Sequence, residues 1–328
     1  MQPVRWGILG TGRHFLSRIY LPLKKSTLID LCAIASRDED RAKKLAGELD
    51  IPRGYGSYNA LLNDPDVEAV FISIPNHLHL EWISKAAAAG KHILCEKPLT
   101  LTAQEAKQAV DTCRAHSVLL MEAFMYKFHP QWVRIRELVS TGAIGAVRSV
   151  HGFFGYMNTD PANIRNIAGY GGGGLYDIGC YPVSVSRFIF GREPDSVMAL
   201  VNRDTTYATD VLTSGILAFG DAHATFTVST QCHAHQSIDI IGTVGRIRAD
   251  LPFNPFDDVS AGIVVETKIG SRRIDFKPVD QYALEFEAFS AVLRNGGPSP
   301  IAPQDAVGNM AVIDGLFRSE RSGTWERI

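Results

Sequence analysis

The sequence predicts an α/β chain in two parts: a doubly wound parallel sheet at the N-terminus, then an α+β domain built on a large, mostly antiparallel open sheet. Three observations predict it. Early in the chain, apolar strand-like runs alternate with amphipathic helical stretches, the pattern of right-handed βαβ units. Past Gly145 strand follows strand, with turn signals between them. The 328 residues suit two domains of about 150 residues each and can bury a sizeable core.

In order, Val4 to Leu9 reads as a buried strand, followed by strands over Leu28 to Ser36, Ala69 to Ile74, His92 to Cys95 and Val118 to Met121. Helices fall between them. Asp38 to Leu49 places Ala42, Leu45, Ala46 and Leu49 on one face, and Glu81 to Ala89 and Ala103 to His116 follow. The second part reads as strands over Val147 to Gly155, Ser196 to Asn202, Leu212 to Phe219, His223 to Gln231, Ser237 to Ile241, Ile263 to Ile269 and Arg272 to Phe276. Gly220-Asp221 and Gly270-Ser271 mark hairpin turns. A helix beginning near Leu175 and two late helices, Tyr282 to Asn295 and Gln304 to Arg321, complete the prediction. The expected boundaries are 1–124 and 125–328, with the C-terminal helices free to pack back on the first domain.

Charge and cysteine usage narrow the function. With 33 basic and 35 acidic residues the formal charge is −2 and no long basic run occurs, so nucleic acid is not an expected partner. A small-molecule partner is. The five cysteines include no Cys-x-x-Cys pair and suggest reduced structural thiols. The first strand begins by Val4, leaving no room for a signal peptide, and no apolar run approaches membrane-spanning length. Cytoplasmic residence is therefore the expectation.

Three segments carry chemistry. In Gly7-Ile-Leu-Gly10-Thr-Gly12-Arg-His-Phe15, Gly10, Thr11 and Gly12 lie between a strand and a helix, where backbone N–H groups can approach a pyrophosphate; this is a Rossmann-type turn with Phe15 in place of the usual third small residue. The second strand ends at Ser36-Arg37 without the acid that would bind a ribose 2′-hydroxyl. Arg37, and Arg41 one helical turn on, suit a 2′-phosphate, so NADP(H) is expected over NAD(H). Pro75, Asn76 and His79 follow a strand and are expected to line the cofactor cleft; His77 and His79 lack a third ligand, and no metal is expected.

The second segment, Lys91-His-Ile-Leu-Cys-Glu-Lys-Pro98, puts Lys97 where an open sheet releases its chain into a ligand crevice, and Pro98 holds it extended. The third, Gly171-Gly-Gly-Gly-Leu-Tyr-Asp-Ile-Gly-Cys-Tyr181, presents Asp177 and Tyr181 on one helical face.

These segments, with Met121 to Pro130, resemble the glucose-fructose oxidoreductase and inositol dehydrogenase family (Gfo/Idh/MocA) over nearly the whole chain. Within it, Tyr181 where many members have histidine is similar to the branch of dimeric dihydrodiol dehydrogenase and NADP-linked xylose dehydrogenase. The resemblance implies an NAD(P)-dependent dehydrogenase or reductase acting on a CH–OH group of a sugar, polyol or cyclic diol. It places Lys97, Asp177 and Tyr181 in the active site and adds Glu96 to the nucleotide-binding residues. It also implies a cis Lys97-Pro98 bond and a homodimer or dimer of dimers through the second domain. Family members that hydrolyse glycosides by transient oxidation, or only sense the dinucleotide, are the alternatives. Chemically, oxidising a carbinol requires a base near its oxygen, and a lysine ammonium beside Tyr181 would favour the phenolate. Either Lys97 or Tyr181 can be the proton acceptor. Asp177 would orient substrate hydroxyls or Lys97.

Overall fold

Six strands, five of them largely apolar, form the first sheet: β1 (Val4–Leu9), β2 (Ile29–Ala35), β3 (Arg53–Tyr55), β4 (Ala69–Ile72), β5 (His92–Glu96) and β6 (Leu120–Ala123). All are parallel, in the order β3-β2-β1-β4-β5-β6. β4 and β6 are buried throughout, as strands covered by helices on both faces must be. The order reverses between β1 and β4, which opens a crevice at their carboxyl ends. The computed structural model describes residues 2–256 and 258–328.

The chain divides into two units: residues up to Met125 with Asp280–Val307, and Tyr126–Val279 with Gly308–Ile328. Four helices of the first unit are capped by short oxygen side chains, those of Asp38, Ser57, Thr102 and Asp280. Asp38 accepts from the Arg41 N–H ahead of Glu39–Glu48, and Thr102 from the Glu105 N–H ahead of Ala103–Ala115. The late helix Gln281–Asn295 belongs here because its apolar stripe has a partner. Phe286 and Phe289 pack on Trp6 of β1 at 4.7 and 5.6 Å between centroids, and the Trp6 Nε1–H donates to the Ser290 hydroxyl at 3.1 Å.

In the second unit nine strands form one sheet. They are β7 (Val147–Met157), β8 (Ser196–Arg203), β9 (Asp210–Phe219), β10 (Ala222–Ser229), β11 (Gln231–Gly242), β12 (Gly245–Ala249), β13 (Ala261–Thr267), β14 (Gly270–Phe276) and β15 (Glu326–Arg327). Their order is β14-β13-β12-β11-β7-β10-β9-β8-β15, antiparallel except where β7 meets β10. The first expected hairpin turn stands, with Phe219 opposite Ala222. The second moves back: Thr267 pairs with Gly270, so Lys268-Ile269 makes the turn and Gly270 already begins β14. Ala222, Ala224, Phe226 and Val228 are buried, whereas His223, Thr225 and Thr227 keep some exposure. On the buried face Gly215 leaves room for the Phe226 ring and for Leu316 of the helix Gln304–Ser322. Among the described residues, no helix is long and apolar enough to cross a membrane.

Candidate active site

The first unit holds the residues expected to face a nucleotide. Gly10 ends β1 with φ 110°, its N–H donating to the Ala35 carbonyl at 3.1 Å. A Cβ there would collide with the Ser73 carbonyl oxygen, so only glycine lets β1 turn this close to the end of β4. Gly12, by contrast, has ordinary space around it. Phe15 occupies the third fingerprint position as a core residue, fully buried and 6.4 Å from the Phe71 ring. The widened helical turn Phe15–Ile19 accompanies that larger side chain.

At the end of β2, Ser36 is buried and its Oγ accepts from the Asp38 N–H at 3.2 Å, which leaves its own proton to donate. Arg37 is exposed. Arg41 differs from it, because its guanidinium donates to the Thr11 carbonyl at 2.9 Å and ties the glycine turn to the next helix. Pro75 leads from β4 into a short turn, Asn76–Leu78, ahead of the helix His79–Ala88. The tight turn at Gly10, and the serine and arginine at the end of β2, fit a dinucleotide carrying a 2′-phosphate.

His79 corrects the expectation of a side chain in the cofactor cleft. It is wholly buried, with Nδ1 3.0 Å from the Pro98 carbonyl and Nε2 2.9 Å from the Ile74 carbonyl. Burial lowers its pKa. The imidazole therefore sits as a clamp between the loop after β4 and the loop after β5, a neutral ring donating to one of the two carbonyls and packing against the other.

That clamp is one of three holding Lys97. The Lys97 N–H donates to Glu96 Oε2 at 3.2 Å, and the Leu99 N–H donates to Oε1 of buried Glu122 at 2.7 Å. The Lys97-Pro98 peptide is cis, as the resemblance implies. Lys97 itself is half-buried. Glu96 Oε1 lies 3.5 Å from His14 Nε2, so the residue before the lysine reaches the glycine turn. Glu285, buried on the late helix of this unit, has its carboxyl raised well above the usual range by burial and by Glu96 and Glu122. Burial thus favours its neutral form.

The second unit carries the acid and the phenol. Asp177 lies in the widened turn Leu175–Gly179, and Tyr181 opens the regular helix Cys180–Phe190. Asp210 of β9 anchors the start of this turn. This buried carboxylate accepts from the Leu175 N–H at 2.5 Å, and its Oδ1 occupies the place that a Cβ on Gly173 would need. The glycine run is thus the space in which a strand residue caps the helix. Tyr181 is 4 % exposed, its ring among Phe253, Phe154 and Tyr126 at 5.0, 5.6 and 6.1 Å. Asp177 Oδ2 accepts from the Tyr156 hydroxyl at 2.5 Å and pairs with Arg165 Nε at 2.9 Å.

Of the supporting groups His14, Glu122, Tyr156, Arg165, Asp210 and Glu285, none is named from the sequence as a site residue in its own right. His14, inside the glycine turn, Glu122, in the Met121 to Pro130 segment, and Tyr156 and Arg165, in the 156–170 loop where the sequence puts substrate specificity, carry a local signal. The others reach these segments from elsewhere in their own units.

A parallel sheet in this order, with a tight glycine at its switch point and a basic group ending its second strand, defines a dinucleotide-binding oxidoreductase unit. The family model for the Gfo/Idh/MocA oxidoreductases, described as an NAD-binding Rossmann fold, matches residues 4–124, and that for their C-terminal domain matches 132–248. The chain belongs to this family. It is 38% identical to D-xylose 1-dehydrogenase (NADP(+)) 2 of Haloferax volcanii, over 97% of this chain and 98% of that one. It is 31% identical to trans-1,2-dihydrobenzene-1,2-diol dehydrogenase of Mus musculus, over 92% and 91%. Among solved structures, a 3-ketoreductase from Actinomadura kijaniata in complex with NADP and TDP-benzene superposes with a TM-score of 0.91 at 29% identity, covering 97% of this chain and 98% of that one.

Proposed function

We propose that the protein catalyses reversible NADP(H)-dependent hydride transfer at a CH–OH/C=O carbon of a sugar, polyol or cyclic diol, with Lys97 and Tyr181 acting on the reacting oxygen. The observation that carries this reading is Lys97, held at the carboxyl end of β5 by three contacts on its flanking backbone. The relatives support it, being an NADP-linked sugar dehydrogenase, a diol dehydrogenase and an NADP-bound ketoreductase. Solved variants of the ketoreductase replace a lysine and a tyrosine at the same separation along the chain as Lys97 and Tyr181.

Gly10, Thr11, Gly12, Ser36, Arg37, Pro75 and Asn76 would hold the dinucleotide, which supplies or takes up the hydride when bound. Lys97 donates a charge-assisted hydrogen bond to the substrate oxygen, stabilising the negative charge that develops there. Tyr181 exchanges the hydroxyl proton, its ring fixed by the aromatic residues around it. Asp177 receives a further substrate hydroxyl. Replacing Lys97 by Met or Tyr181 by Phe should lower kcat by orders of magnitude, about 10²-fold or more, with NADPH binding retained. A panel of aldoses, inositols and diols followed at the nicotinamide absorbance identifies the substrate class. Near-wild-type turnover in Lys97→Met would overturn the assignment. Aglycone release from a nitrophenyl glycoside without net cofactor reduction would favour hydrolysis instead.

A further inference from the structure

Asp177 is one member of a cluster of three. Tyr156, near the end of β7, donates its hydroxyl to Asp177 Oδ2, and Arg165 binds the same oxygen through Nε. The Asp177 side chain is 12% exposed and that of Arg165 37%. Burial, and then the charge of Asp177, push the Tyr156 phenol far above its ordinary range, so it remains a donor. Arg165 is fixed by its backbone. Its N–H donates to the Asn163 side chain at 3.1 Å, and its carbonyl accepts from the Gly173 N–H at 2.8 Å. A Cβ on Gly172 would sit 2.5 Å from that carbonyl, so the glycine run is also what lets Arg165 come this close.

An arginine in a sugar site ordinarily recruits carboxylates, because its planar fork matches two carboxylate oxygens. Here a resident carboxylate already occupies its Nε edge. We propose that the Tyr156–Asp177–Arg165 cluster selects uncharged polyhydroxy substrates over their uronate counterparts, Asp177 cancelling the charge of Arg165 and repelling a second carboxylate. This rests on the reading that Asp177 receives a substrate hydroxyl. In the cluster, Asp177 supplies the acceptor, Tyr156 fixes its orientation and Arg165 keeps the group near electrical neutrality.

Asp177→Asn tests it, since asparagine keeps the shape and can still accept from Tyr156 while losing the charge. D-Glucose and D-glucuronate share their stereochemistry from C1 to C5 and differ only at C6. They are compared by kcat/KM and by dissociation constants from the NADPH-loaded protein, so that a loss of turnover does not end the comparison. The glucuronate-to-glucose preference should rise about tenfold or more in Asp177→Asn, corresponding to about 1.4 kcal/mol. It should return to the wild-type value when Arg165→Leu is added, and Arg165→Lys alone should keep the wild-type preference. An unchanged preference in Asp177→Asn, or a rise that persists without Arg165, overturns the inference. If Asp177→Asn weakens glucose without altering the preference, the substrate role of Asp177 stands and only the selection mechanism fails. If neither sugar responds to Asp177→Asn, that role fails as well.

Discussion

Arg37 and Arg41 stand one helical turn apart and do different work. Arg41 spends a guanidinium N–H on the Thr11 carbonyl, whereas Arg37 is exposed at the end of β2 beside Ser36. Asp38, which by charge alone would oppose a phosphate, accepts from the Arg41 N–H at the start of its helix, where the positive end of the macrodipole offsets it. Discrimination between NADP(H) and NAD(H) therefore rests mainly on Arg37. With a charge-assisted contribution of about 1.5–3 kcal/mol, kcat/KM should favour NADP(H) by roughly ten- to a hundredfold. Arg37→Ala should remove most of that preference by weakening NADP(H) alone, as measured with both cofactors in both proteins. A variant weakened equally towards both would show that Arg37 contacts something other than the 2′-phosphate.

At the scale of elements, long periodic segments were legible and short ones were not. The helices Glu39–Glu48, Ala103–Ala115 and Gln281–Asn295 follow their apolar stripes to within a residue or two. β3, with three half-buried residues, has too few positions for a period to show, and β12 exists because neighbours on both sides supply its hydrogen bonds. The helix Pro130–Ser140 also went unread, although Pro130 at its start is a usable signal, because its cap is His129 rather than a short oxygen side chain. The site divides the same way. Lys97, Asp177 and Tyr181 sit in legible motifs, while Asp210 acts across its unit, where no local pattern points. The His129 cap has a measurable consequence. Its Nδ1 accepts from the Gln131 N–H at 3.1 Å and so must be unprotonated, and burial lowers its pKa from 6.5 to about 4. The unfolded chain binds the proton first, so this stability is present above pH 6.5 and is lost as pH falls towards 4. The full effect is on the order of 3 kcal/mol. His129→Asn keeps an acceptor at the cap without the titration, and its Tm should fall less than wild type between pH 7 and about 4.5. Parallel Tm curves would remove His129 from the acid response.

At the scale of the whole molecule, the open face of the large sheet is divided in composition. Towards β8 and β9 it presents Leu200, Leu212 and Ile216, exposed by 72%, 41% and 39%, with Thr225 and Thr227 of β10 beside them. Towards β12 and β13 it carries charge, including the Arg246–Glu266 pair at 2.7 Å, so the uncharged part of this face covers only the β8 to β10 end of the sheet. The registry explains the apolar end. Ile216 lies opposite Thr225 on β10 and Met198 on β8, and Leu200 lies opposite Ser214, so one continuous row of side chains points away from the buried layer. Apolar surface of this kind on a twisted sheet is costly to leave in water and is commonly covered by a symmetry-related copy, since a two-fold axis brings like surfaces together. We expect a homodimer, or a dimer of dimers, formed through β8 to β10. The variant carrying Leu200→Glu and Ile216→Glu should dissociate into 35.9 kDa monomers in light scattering at micromolar concentration while keeping its far-ultraviolet circular dichroism, because neither side chain belongs to the buried layer. A wild-type protein that is already monomeric under those conditions, or a variant that remains dimeric, would place the association surface elsewhere.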